Sequence, residues 1–355
     1  MGFSSLTLLL FLTLISILAA PSSAATFNCT ASSPATTSCQ ALIDFVPTNA
    51  TTLNAVKTLF NITHLRTLLG ANNLPLSTRS NYSIPAASKL LVPFSCLCLN
   101  GSGVSNRRPV YTVKAGDGLD YIASLFSRLV TFQEIARANG IPDPDQIEVG
   151  QILWIPLPCS CDQVNGAEVV HYGHVVEAGS SVQVIADEYG TTQETLLRIN
   201  GIADAAKLQV GQVIDVPLKA CASSVSNESL DSPLLVPNNT YVFTAYSCVQ
   251  CQCSSANNWT LQCEPSNLNS TLWTTCPSMQ CQDSTLNMGN TTSPSACNQT
   301  TCAYDGYNTK TILTSLIAES TCSTPSIASK MGLHGISWNF LFTAVHLALL
   351  CFHLL

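Results

Sequence analysis

Between Val110 and Pro217 the chain runs twice through the same order of apolar and polar positions. A short alternating stretch, Val110 to Val113 and again His174 to Val176, predicts a strand. The period then changes to that of a helix, with Ile122, Ala123 and Phe126 on one face and assigned to the core. A second helical stretch stops at Asn139-Gly140 in one copy and at Asn200-Gly201 in the other, where a left-handed residue is easiest. Closing strands are predicted over Ile152 to Pro156 and Val213 to Pro217. Capping boxes are expected at Asp117 with Asp120, Thr131 with Glu134, Ser180 with Gln183 and Thr191 with Glu194, because the side-chain oxygen can meet free backbone N–H groups.

The letters repeat as well as the pattern. "NGIPDPDQIEVGQILWIPLP" from Asn139 is echoed 61 residues later by "NGIADAAKLQVGQVIDVPL", and "VKAGDGLDYIASLF" from Val113 by "VEAGSSVQVIADEY" from Val176. The offset falls from 63 to 61, which places a two-residue insertion near Ser127 to Val130. One strand-helix-helix-strand unit has been copied. A fainter copy, "LNAVKTLF" from Leu53, "LLGANNL" from Leu68 and "KLLVPF" from Lys89, keeps the order but lacks the Ala-Gly and Val-Gly-Gln turns. The fold class expected is α+β, three tandem units over 26–98 (degenerate), 108–158 and 172–218. Units of about 45 to 50 residues bury too little to stand on a core alone, so covalent staples are expected.

Cysteines supply candidates. Cys96-x-Cys98 and Cys159-x-Cys161 punctuate the units, with Cys29 and Cys39 ahead of the first. Two cysteines two apart on a strand point the same way and are poorly placed to bridge each other, so each is expected to join a different neighbour. Ten more lie from Cys221 to Cys322, predicting a Cys-rich glycosylated domain over 219–322 with up to five bridges. Cys248, Cys251 and Cys253 are read as disulfide partners rather than zinc ligands, in keeping with a secretory compartment; no metal or cofactor is expected.

That compartment is read from both ends. Leu6 to Ala20 is an apolar run too short to span a bilayer, followed by small residues, so 1–25 is expected to be a signal peptide. Ile336 to Leu355 is apolar with no Asp, Glu, Lys or Arg after Lys330, and small residues precede it. This is the layout of a glycosylphosphatidylinositol (GPI) signal over 323–355, with attachment at Ser323 or Ser326; a tail-less membrane helix is the alternative. Losing the tail removes Cys351 and leaves an even 16 of the 17 cysteines. Eleven Asn-x-Ser/Thr sites, Asn28, Asn49, Asn61, Asn81, Asn100, Asn227, Asn238, Asn258, Asn269, Asn290 and Asn298, are candidate glycosylation sites, and none falls between Gly101 and Ser226. With 10% charged residues and a formal net charge of −7, the chain lacks the basic footprint of a nucleic-acid binder, and a neutral ligand fits better than a polyanion.

The block from Cys29 to Cys221, with "DGLDYIA", "TFQEIARANGIPDPDQI", "LWIPLPCSCD" and the two CxC spacers, resembles the plant GPI-anchored lysin-motif (LysM) receptor-like proteins, nearest their chitin elicitor-binding branch. The resemblance implies the pairs Cys29–Cys98, Cys39–Cys161 and Cys96–Cys159. It also implies chitin-oligomer binding by the middle unit, with Gly116, Asp117, Gly118 and Leu119 on one side and Pro142, Asp143, Pro144, Asp145, Gln146 and Ile147 on the other. N-acetylglucosamine is neutral and suits such loops: Gly116 and Gly118 let the main chain come near, Pro142 and Pro144 stiffen the facing loop, and Ile147 can seat the acetyl methyl. The copy at Ala203 and Ala205 lacks both loop prolines. The implied role is a plasma-membrane receptor subunit of plant innate immunity, not an enzyme. It would signal through a LysM receptor-like kinase, with a ligand-bridged homodimer as a further partner state. The alternative is a peptidoglycan-binding receptor; a wall-glycan hydrolase is a third reading, although no separate catalytic domain fits the remainder.

Other residue pairs are read as structural. His171 and His174 have HxxH spacing without the metalloprotease Glu and are assigned to the surface. Asp143 and Asp145 are read as turn formers, too close in one loop to flank a glycosidic bond. Trp154 and Trp259 are candidates for stacking on sugars, with packing on a neighbouring unit an equal alternative for Trp154, which lies inside a strand.

Overall fold

The computed structural model describes residues 27–30, 38–99, 101–295 and 298–320. The expected signal peptide, the GPI signal with Ser323 and Ser326, Asn100, Cys297, Cys322 and Cys351 lie outside the described residues.

The strands are β1 (Phe27–Asn28), β2 (Ser38–Phe45), β3 (Thr51–Thr52), β4 (Ser83–Ile84), β5 (Leu90–Leu99), β6 (Ser102–Ser105), β7 (Val110–Thr112), β8 (Ile152–Trp154), β9 (Val169–Val175) and β10 (Val213–Lys219). Among the described residues six short α-helices pair off between them: α1 (Leu53–Leu59) and α2 (Leu65–Ala71), α3 (Leu119–Leu125) and α4 (Phe132–Ala138), α5 (Val182–Tyr189) and α6 (Gln193–Ile199). Three segments therefore share the order strand, helix, helix, strand: β2 with β5, β7 with β8, and β9 with β10, each pair antiparallel.

One side chain explains part of the repeated lettering. Asn139, at the end of α4, accepts from Trp154 N and donates to Trp154 O, both at 2.8 Å. Asn200 brackets Asp215 N and O in the same way at 2.7 and 2.8 Å, and Asn72 brackets Leu91 N and O at 2.8 Å. The amide presents one acceptor and one donor to a strand residue, so it fastens the second helix to the closing strand. The adjoining Gly140 and Gly201 have φ of 64° and 61°, which allows the chain to turn out of the helix.

Two of the four expected capping boxes shift and one fails. Thr131 and Glu134 form the full box. In the third segment Ser181 and Thr192, one residue later than expected, cap the helices by accepting from Val184 N and Thr195 N. In α3 the N-cap is Gly118 with no side-chain bond; Asp117 is instead held by Tyr111 and Lys114, and Asp120 pairs with Arg128 at 2.7 Å on the surface.

The segments do not form a simple row. The main sheet has the order β1-β6-β5-β2-β9-β10, so segment three pairs directly with segment one through Leu42↔Tyr172 and Ile43↔Gly173. Gly173 suits that contact, since a Cβ there would stand 3.0 Å from Ile43 Cγ1. Segment two keeps its own ribbon and shares a core with segment one. Phe45, Phe60, Phe126 and Tyr111 form an edge-to-face chain with successive centroids 5.3, 5.4 and 6.5 Å apart. The two-residue insertion lies at this seam: Ser127 Oγ donates to Val46 O and accepts from Val46 N. Val110 N donates to Asn61 Oδ1 across the same junction. Disulfides Cys39–Cys161 and Cys96–Cys159 tie segment one to the stretch between segments two and three, and Cys29–Cys98 closes segment one on itself.

His171 and His174 are not on the surface. They are 3% and 2% exposed, because β9 is covered on both faces and alternation loses its meaning there. His171 Nδ1 meets the Asp215 carboxylate at 2.8 Å and its Nε2 meets Asp162 O at 2.7 Å, so both ring nitrogens face acceptors and the imidazolium is the fully satisfied form. Burial opposes that charge, but the hydrogen bond and charge of Asp215, then the Asp162 carbonyl, raise the pKa of His171. His174 Nδ1 lies 3.0 Å from Asp44 Oδ2, and the Tyr172 hydroxyl donates to the same carboxylate.

The C-terminal domain has two three-stranded sheets. One comprises β11 (Thr240–Thr244), β12 (Val249–Cys253) and β13 (Gln262–Pro265), the other β14 (Thr291–Ser295), β15 (Asn298–Tyr307) and β16 (Ile312–Ser320). Bonds Cys221–Cys253, Cys248–Cys276, Cys251–Cys263 and Cys281–Cys302 hold its core. The domain rests on α2: Tyr241 OH donates to Leu74 O at 2.5 Å, and a Cβ on Gly70 would meet Tyr241 O at 2.1 Å. Among the described residues no helix is long and apolar enough to cross a membrane.

Candidate ligand-binding site

The two loops singled out in segment two leave the same end of the β7–β8 ribbon. Val113 N donates to Gln151 O and Gly150 N to Val113 O, so residues 114–118 and 141–150 start from a common hydrogen-bonded base. Each loop is braced internally. In the first, Asp117 Oδ2 accepts from Tyr111 OH and Lys114 N, both at 2.8 Å. Burial, with help from the Asp117 hydrogen bond and charge, pushes the Tyr111 phenol up to about 12, so it stays a donor over the ordinary pH range.

Gly116 is exposed with φ of 88°, a conformation that favours glycine. Gly118 differs. Its φ of −121° is open to any residue and a Cβ there would meet nothing within 4 Å, so neither backbone nor packing within the chain demands glycine. Leu119 is 3% exposed and belongs to the core, so its side chain does not line an open surface.

In the second loop, Asp143 accepts from Asp145 N at 3.1 Å and from Gln146 Nε2 at 2.8 Å, an Asx-type turn that makes the whole Pro-Asp-Pro-Asp stretch self-supporting. Pro142, Asp145 and Gln146 are exposed, while Asp143 and Pro144 are half-buried. Ile147 is also half-buried: part of it packs on the core and part remains open. Trp154 sits in β8 and donates from Nε1 to Ser105 Oγ at 3.2 Å, an anchoring role within the block.

Segment three repeats this base with different walls. Asp204 accepts from Ala206 N at 2.9 Å, and Ala205–Lys207 forms a 3-10 turn where segment two has its second proline and Gln146. Leu208 is half-buried like Ile147. Ser181, the counterpart of Gly118, uses its hydroxyl to cap α5.

The sequence reading missed Tyr111 as the brace of the first loop; its place in β7 gave no local sign of a partner six residues on. It also missed the second use of two candidate glycosylation residues. Asn61 donates to Thr58 O besides accepting from Val110, and Asn238 Oδ1 accepts from Ser255 N, so both side chains are structural and half-buried. The sulfur clusters Cys29/Cys98/Cys161 and Cys39/Cys96/Cys161 consist of disulfide-bonded atoms, which leaves no thiolate for a metal.

A family profile described as "LysM domain" matches residues 111–156 and 174–217. "LysM domain-containing GPI-anchored protein 2" of Arabidopsis thaliana is 45% identical over 335 residues, covering 93% of this chain and 92% of that protein. "Chitin elicitor-binding protein" of Oryza sativa subsp. japonica is 42% identical over 343 residues, covering 94% and 93%. Among solved structures, the "ectodomain of a receptor like kinase" aligns with a TM-score of 0.43 at 24% identity, covering 52% of this chain and 94% of that one.

Proposed function

The chain belongs to the plant family of LysM domain-containing GPI-anchored proteins, and from that premise we propose that it is a cell-surface receptor subunit that binds chitin fragments through segment two. The observation that carries the proposal is the pair of self-braced loops on one ribbon end, with Gly118 left free of any internal requirement for glycine. An approaching sugar chain gives that missing side chain a reason. Backbone groups beside Gly116 and Gly118 reach the sugar amide and hydroxyls, and the open part of Ile147 receives the acetyl methyl. Asp117 and Asp143 act as loop braces, and Leu119 supports the first loop from beneath. One buried methyl contributes about 0.8 kcal/mol, so useful affinity needs several consecutive sugars.

The proposed organisation is a signal peptide (1–25), a degenerate LysM unit (26–98), two further LysM units (108–158 and 172–218), a glycosylated Cys-rich domain (219–322) and a GPI signal (323–355) with attachment at Ser323 or Ser326. A GPI anchor places the protein on the outer face of the plasma membrane, so signalling passes to a membrane-spanning LysM receptor kinase. A long oligomer bridging two copies would raise avidity through effective concentration.

Competition tests the ligand class. Chitin oligomers should displace a labelled chitin probe at lower concentration than muropeptides do, and long oligomers at lower concentration than the dimer. Preferential displacement by muropeptides would assign the site to peptidoglycan instead.

A further inference from the structure

A cavity of about 540 Å³ lies where the C-terminal domain meets segment one. The start of β2, residues of and beside α2, and the turn after β11 line it. Its volume falls within the range typical of small-molecule sites, and junctions between domains are where such sites concentrate. It is separate from the loops of segment two.

Two independent features mark it. The first is strain: Ala245, Tyr246 and Ser247 are three consecutive non-glycine residues in the left-handed region, with φ of 47°, 51° and 77°, and all three line the cavity. Such a backbone persists only where its surroundings hold it. Here Thr271 N donates to Tyr246 O at 2.8 Å, and Arg66 from α2 donates to Ser247 Oγ at 2.6 Å. The turn carries Tyr246 into the junction, where it packs edge-on to Tyr307 at 5.2 Å, and both tyrosines line the cavity.

The second feature is the charge of the lining. The Asp231 carboxylate is already engaged by the hydroxyls of Ser229, Thr244 and Tyr304. His64 is kept toward its neutral form, its pKa lowered by burial and then by the charges of Arg66 and Lys57. The remaining polar lining is uncharged, notably the Gln40 amide and the Thr67 hydroxyl, both on exposed residues. Amide and hydroxyl groups in the same lining as two aromatic rings match a ligand that is uncharged, rich in hydroxyls and apolar on its ring faces.

We propose that this interdomain cavity is a second binding site, for a short neutral sugar, independent of the segment-two loops. The test uses ligand-observed saturation-transfer NMR on the full-length protein in detergent, with glucose, N-acetylglucosamine and mannose as separate probes. At least one should give a signal that survives Ile147→Ala and is abolished by Thr67→Trp, which fills the cavity from an exposed helical position. Gln40→Ala should weaken the same probe about fivefold, as expected for a lost hydrogen bond, even if Thr67→Trp fails to fold. Chitin-oligomer binding should be unchanged in Gln40→Ala. No signal from any probe, or a signal indifferent to Gln40→Ala, would overturn the second site. Loss of chitin binding in Ile147→Ala alone bears only on the segment-two assignment.

Discussion

Segments two and three share a framework and differ in what surrounds it. In both, an asparagine brackets the closing strand, a glycine with positive φ ends the second helix, and an aspartate braces the following loop. At matching places in the repeats, however, segment two has Tyr111 and Trp154 where segment three has His174 and Asp215. Segment two is held to segment one mainly by aromatic packing, and segment three by the buried His174–Asp44 pair and a shared sheet, while a second buried pair, His171–Asp215, ties β9 to β10 within segment three. The loops diverge as well: prolines and glycines in segment two, a 3-10 turn and a serine cap in segment three. The repeated letters thus report the hinge points of the scaffold. The unmatched letters report how each copy is mounted and what it presents.

The largest effect to test is the buried pair that segment three has where segment two has none. Asp215→Ala leaves the imidazolium of His171 buried beside a lone carbonyl, which should destabilise the protein by about 3–5 kcal/mol in chemical denaturation. The pH dependence has a definite sign. The folded pKa of His171 is raised, so its stabilisation is fully present below the unfolded value of about 6.5 and is lost as pH rises through the folded value. The gap in melting temperature between the wild type and His171→Gln should therefore be widest at mildly acidic pH and narrow on the alkaline side. A gap that widens with rising pH would contradict a buried cation.

The shared framework is tested next. Asn72→Asp, Asn139→Asp and Asn200→Asp each remove the donor from the bracket, and each should cost about 1–3 kcal/mol. Similar losses in all three would support one device used three times. A negligible loss for Asn72→Asp alone would mean that segment one holds its closing strand differently.

Much of this framework was legible in the sequence, because it depends on local chemistry: helix period, the Thr131/Glu134 box and the Asn-Gly stops. The mounting was not. Asp44 is 130 residues from His174, and a strand covered on both faces shows no alternation that would mark His171 and His174 as buried. Asp117 has the spacing of a helix cap, but the Tyr111 hydroxyl and the Lys114 amide claim its carboxylate first. Leu119 stands within a loop motif, yet as the first residue of α3 it turns into the core. The order of the main sheet, with segment three beside segment one, follows from long-range pairing that no repeat could announce.

The smallest difference is the one on which the proposed function turns: Ile147 in segment two against Leu208 in segment three, both half-buried at the same place in their loops. The most direct measurement is calorimetric titration of long chitin oligomers into the wild type, Ile147→Ala and Leu208→Ala, with melting temperatures confirming that both variants are folded. Losing part of one apolar seat, about 1 kcal/mol, should weaken binding about fivefold in Ile147→Ala and leave Leu208→Ala near the wild type. Equal weakening in both variants, or loss confined to Leu208→Ala, would contradict the placement of the sugar site in segment two.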